Sequence, residues 1–87
     1  MITVDKLDSE TFEVTVNGPP ETVHRVTLPE RVRQDLTGGA LSSEQLLEAS
    51  FRFLLERESN TSILPAFELT EIGRYFPEWE AHVRAMC

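Results

Sequence analysis

Ser42-Ser43-Glu44-Gln45-Leu46-Leu47-Glu48-Ala49-Ser50-Phe51-Arg52-Phe53-Leu54-Leu55 decides how this chain folds. Ser42, with Gln45 three residues later, forms a capping box, the reciprocal pairing that satisfies the free amides at a helix start. After it Leu46, Leu47, Ser50, Phe51, Leu54 and Leu55 recur at helical spacing. Glu48 and Arg52 make a supporting i,i+4 pair on the wet side. Ala49 and Phe53 fall outside the stripe, so this helix is apolar around more than half its circumference and must be covered on two sides. The spacing therefore predicts one long central helix around which the rest of the chain packs.

On its N-terminal side, Ile2-Thr3-Val4, Phe12-Glu13-Val14-Thr15-Val16 and Val23-His24-Arg25-Val26-Thr27-Leu28 alternate apolar and polar residues, the period of a sheet with one wet face. They read as three short antiparallel strands. Asp8-Ser9-Glu10 supplies the first turn and Asn17-Gly18-Pro19-Pro20 the second, with prolines that cannot donate to a ladder. Pro29 suits the first position of a short helix, Val32 and Leu36 share its face, and Gly38-Gly39 ends it with residues that tolerate positive φ. On the C-terminal side, Ser59 to Ser62 reads as a loop and Ile63-Leu64-Pro65 as a brief turn. Thr70 to Tyr75 reads as a short helix, and Pro77 opens a last one in which Trp79, His82, Val83 and Met86 share a face. The expected fold class is α+β, a single domain over residues 1–87 that is β-rich in 1–28 and helical in 29–87. It comprises a three-stranded antiparallel meander, a short helix, the long central helix and two or three short C-terminal helices.

Composition bounds what such a chain does. At 87 residues its net stability is about 4–13 kcal/mol, so dimerisation would help it considerably. The 40% apolar and 26% charged content is that of an ordinary soluble globular protein. No apolar run approaches the roughly twenty residues of a membrane span, and the first residues lack a basic region followed by an apolar stretch; the expected location is cytoplasmic. Cys87 is the sole cysteine, which leaves no internal disulfide and no second sulfur for a metal cluster. Net charge is −7. Only Val23 to Leu41 is basic: three arginines against two carboxylates give +1 there and −8 elsewhere. Such a chain binds nucleic acid poorly unless oligomerisation concentrates that patch, and its acidity fits a basic protein partner.

Catalytic chemistry finds no constellation to stand on. His24 and His82 have no carboxylate or cysteine at a spacing that builds a metal site or a dyad. The serines at 42, 43, 50, 59 and 62 have capping and loop roles. Glu78 and Glu80 answer a helix dipole, and Gly38-Gly39 follows a helix where a phosphate loop would follow a strand. The sequence assigns no catalytic residue, no cofactor and no metal.

Two resemblances bear on function. Arg25-Val26-Thr27-Leu28-Pro29-Glu30, a short helix ending at Leu36, glycine, then Leu41-Ser42-Ser43-Glu44 and an amphipathic helix resembles the ribbon-helix-helix family of DNA-binding proteins over about 36 residues. That resemblance implies a dimer in which one strand from each chain enters the major groove. Arg25 and Thr27 would meet base edges, and Ser42 or Ser43 would hold a phosphate at the helix start. Further on, Phe51-Arg52-Phe53-Leu54-Leu55-Glu56-Arg57-Glu58, Ser62-Ile63-Leu64, Phe67-Glu68-Leu69 and Ile72-Gly73-Arg74-Tyr75-Phe76-Pro77-Glu78 are similar to a family of small bacterial proteins with no assigned activity. Its signature reads FLLERE, SIL, F-x-L, I-x-RYFPE.

Every aromatic residue except Phe12 lies at or beyond Phe51. Arg74-Tyr75-Phe76-Pro77-Glu78-Trp79 joins two short helices at a corner. There Phe76 and Trp79 either plug the bottom of the Phe51 helix, with Arg74 paired to a carboxylate such as Glu78, or contribute to an interaction surface rich in the residue types of binding hot spots. The sequence thus points to a small non-enzymatic regulatory or adaptor module. It would bind another protein through its aromatic C-terminal half, with Phe53, Arg74, Tyr75 and Trp79 as the interaction residues. The alternative is a dimeric ribbon-helix-helix regulator of antitoxin type using Arg25, Thr27, Ser42 and Ser43.

Overall fold

A computed structural model describes residues 1–87 as an α+β fold in which one face of a four-stranded sheet is packed and the other is bare. Strands β1 (Ile2–Lys6), β2 (Thr11–Val16) and β3 (Thr22–Thr27) pair antiparallel, with Val4 opposite Val14 and Val14 opposite His24. The period-2 pattern decides which residues go inside. Phe12, Val14, Val16, His24 and Val26 are buried, while Thr3, Asp5 and Arg25 point to solvent. The first turn is tied by Asp8, whose Oδ1 accepts from the backbone N–H groups of Glu10 (2.9 Å) and Thr11 (2.8 Å).

The Glu10 amide first, then the Thr11 side chain and, less, the Thr11 amide favour the ionised carboxylate and hold Asp8 below the usual carboxylate range. Because the folded value is depressed, the stabilisation is present at neutral pH and is lost only as pH falls through that lowered value. Asp8→Asn is therefore expected to be less stable than the parent at neutral pH. The gap should close in acid, as read by urea unfolding across the acid limb. A gap that stays constant with pH would contradict this origin.

The expected three-stranded antiparallel meander is incomplete. A fourth strand, β4 (Ala66–Glu68), lies parallel to β3 with Val26 opposite Phe67, and the sheet order is β1-β2-β3-β4. Three residues are too few to display a period of two, and parallel pairing to a distant strand leaves no local turn signal. Pro65 sits just ahead of β4, where its missing N–H costs nothing and its carbonyl accepts from the Arg25 N–H at 2.8 Å.

Helix α1 (Glu30–Thr37) follows β3, with Pro29 at the cap position, one residue earlier than its sequence suggests. It stops at Gly38, whose φ of 61° places it in the left-handed region and lets its N–H reach the Gln34 carbonyl at 2.8 Å. Helix α2 (Ser43–Leu55) starts in the capping box: Ser42 Oγ accepts from Gln45 N, and Gln45 Oε1 accepts from Ser42 N. Seven of its thirteen residues are buried, Ala49 and Phe53 among them. The remainder runs through a 3-10 turn (Asn60–Ser62), β4 and a second 3-10 turn (Leu69–Glu71). That turn continues into α3 (Ile72–Tyr75), and α4 (Trp79–Arg84) closes the chain. One cluster of sixteen buried residues joins the inner sheet face to α2, α3 and α4. No helix is long and apolar enough to cross a membrane.

Candidate functional site

The segment after α2 is fixed to the sheet by side chains that the sequence makes look incidental. Asn60 Nδ2 donates to the Pro20 carbonyl (2.8 Å) and to Thr22 Oγ1 (2.9 Å). His24, buried with 2% of its surface exposed, donates from Nδ1 to the Leu64 carbonyl at 2.8 Å, and its Nε2 shares a 2.9 Å hydrogen bond with the Thr22 hydroxyl. A carbonyl can only accept, so the Nδ1 hydrogen is placed by its partner. Together with the Arg25–Pro65 bond, these contacts hold residues 60–65 along β3.

The pinned segment is one contributor to an apolar groove of about 280 Å³. Ser62, Ile63 and Leu64 come from it, Phe67 from β4, Leu54 from the end of α2, and Glu58 from the turn that follows α2. Glu71 comes from the second 3-10 turn, Ile72 and Tyr75 from α3, and Phe76 from the position just after it. Leu64 is 45% exposed and Tyr75 66% exposed, so two of the chain's few large exposed apolar side chains meet at this one place. Water is displaced cheaply from such walls, and an apolar side chain entering them gains the transfer energy that Leu64 and Tyr75 forgo while exposed.

The sequence-predicted interaction residues divide. Tyr75 is exposed and lines the groove. Arg74 is exposed beside it and pairs with Glu71 at 3.2 Å, not with Glu78. Phe53 and Trp79 are core residues, 1% and 2% exposed, and this corrects their placement on a surface. Phe53 and Phe76 meet edge-to-face with ring centroids 5.9 Å apart, and the Arg57 guanidinium lies over the Phe53 ring, 3.5 Å from its centroid. Trp79 Nε1 donates to the buried Ser50 hydroxyl at 3.1 Å. The second cover that α2 requires is therefore supplied by Trp79, Phe76 and Val83. Arg57 completes the corner by bonding the Phe53 carbonyl (2.9 Å) and the Glu78 carboxylate (3.3 Å). Glu78 is held below the usual carboxylate range, by its own backbone N–H first and by Arg57 after it.

Leu64, Glu58 and Ile72 were missed as site residues. The only sequence signal for them is Leu64, an apolar residue in a stretch of small polar residues and proline that no helix or strand period asks to be buried.

The ribbon resemblance meets a different geometry. Val26 and Leu28 point inward and Arg25 points outward, as the alternation requires, with Thr27 half-buried on that outer face. However, β3 is paired along one edge to β2, and over Arg25 to Thr27 its other edge is taken by β4, so this half of the strand has no free edge for a second chain. Arg25 faces Glu13 across the sheet. The Ser42 hydroxyl is engaged in its cap, and Ser43 is half-buried in the first turn of α2.

No group of three or more His, Cys, Asp or Glu side chains comes together as a metal site requires, and no buried side-chain polar atom lacks a partner. The groups with displaced pKa values, Asp8, Glu30, Arg33 and Glu78, all lie outside the groove, and each is moved mainly by a local hydrogen bond. No family model, no curated protein and no solved structure matches this chain.

Proposed function

We propose that this protein is a small non-enzymatic binding module that captures another protein through the apolar groove between α2, the segment 60–67 and α3. The proposal is carried by one observation: side chains from separate parts of the C-terminal half converge on a single groove, with Leu64 and Tyr75 left exposed at it. The stretches Phe51–Glu58, Ser62–Leu64, Phe67–Leu69 and Ile72–Glu78, singled out by resemblance, supply nine of its ten lining residues, all but Glu71. Tyrosine is among the residue types that dominate interface energetics, because it offers a large rigid surface with a polar tip. A second copy of the chain is a poor occupant, since two molecules of charge −7 repel.

Selection of displayed peptides on the immobilised protein tests the proposal. Enriched peptides should carry an apolar anchor and should lose binding to Leu64→Ser, a substitution at an exposed site that leaves the core intact. Enriched peptides that bind parent and Leu64→Ser alike would refute the groove as the binding site.

A further inference from the structure

The groove's two carboxylates are not equivalent. Glu71 is engaged by Arg74 at 3.2 Å. Glu58 is half-buried, lines the same groove and makes neither an ion pair nor a side-chain hydrogen bond, although its neighbours Glu56 and Arg57 both do. Building on the proposed binding role, we infer that the groove accepts a short segment of a partner protein that presents one large apolar side chain flanked by lysine or arginine, with the cation meeting Glu58.

Four observations converge on this occupant. The groove volume of about 280 Å³, at the small end of the roughly 300–1,000 Å³ of ligand pockets, is enough to seat one large apolar anchor side chain. Leu64, Phe67, Ile72 and Tyr75 make its walls apolar, which fixes the chemistry of that anchor. A carboxylate beside apolar walls is less screened than one in open water, so a cation brought to Glu58 is held more firmly there than at a bare surface acid. The net charge of −7 also raises the local concentration of basic segments and speeds their encounter. An acidic segment would meet both the unpaired Glu58 and the field of the whole chain.

Fluorescence anisotropy with labelled synthetic peptides tests the inference. One peptide carries leucine between lysines, a second replaces the lysines with glutamine, and a third replaces them with glutamate. The lysine peptide should bind tightest and the glutamate peptide weakest, and the difference should shrink as salt is raised. Glu58→Gln should weaken the lysine peptide about 2- to 5-fold, the range of a partly exposed ion pair, and leave the glutamine peptide unchanged. Glu44→Gln, in the first turn of α2 and far along the helix from Glu58, should alter neither. Tyr75→Ala should weaken both the lysine and the glutamine peptides.

Equal binding of the lysine and glutamine peptides would overturn the cation preference while leaving the groove as a binding site. So would a loss on Glu44→Gln as large as that on Glu58→Gln. Lysine-peptide binding indifferent to Tyr75→Ala would reduce the effect to diffuse attraction by an acidic surface and overturn the inference. Absence of binding by all three peptides would overturn both the inference and the proposed function beneath it.

Discussion

Trp79→Ala is expected to lower the unfolding free energy by about 3–5 kcal/mol, the range for removing a large buried aromatic side chain. For a chain of this length total stability is about 4–13 kcal/mol, so the loss removes from about a quarter to all of it. Two losses combine: the ring, 2% exposed, leaves a cavity beneath α2, and the Ser50 hydroxyl loses the indole N–H that donates to it at 3.1 Å. Trp79→Phe separates them. It keeps most of the volume and strands Ser50, which should cost about 1–3 kcal/mol. Urea unfolding followed by circular dichroism reads both. A Trp79→Ala protein as stable as the parent would contradict the placement of this side chain as the second cover of α2.

Tyr75→Ala is expected to do the reverse, leaving the fold in place and weakening groove binding. Its side chain is 66% exposed, so little core packing is lost and the unfolding free energy should stay within about 0.5 kcal/mol of the parent. A hot-spot tyrosine contributes about 2 kcal/mol or more to binding, which is about a 30-fold loss of affinity for a groove-directed peptide. The opposite responses of two aromatic residues four positions apart separate a packing role from a binding role.

Much of this fold is legible in local pattern. The Ser42–Gln45 box, the stop at Gly38 and the alternation in β2 and β3 are short-range signals, and each is found where its spacing puts it. What escapes is long-range. Nothing near Ala66-Phe67-Glu68 says that it runs parallel to a strand some forty residues earlier. Arg57 and Glu78 are partners across 21 positions, whereas the sequence suggests the nearer Arg74. The all-round apolar character of α2 does require a second cover, yet it cannot say which aromatic supplies it, and so Phe53 and Trp79 read equally well as surface. The groove is less legible still. It exists only where the end of α2, residues 62–67 and α3 meet, and its one unengaged carboxylate, Glu58, looks in sequence like any solvated residue at a helix end.

Amide chemical-shift mapping, with a selected peptide titrated into isotope-labelled protein, locates the surface that this protein uses to bind. Shifts should concentrate at Leu54, Glu58, Ile63, Leu64, Phe67, Ile72 and Tyr75, with the bare sheet face around Thr3, Glu13 and Arg25 unmoved. Shifts centred on that sheet face, with the groove residues silent, would contradict binding at the groove.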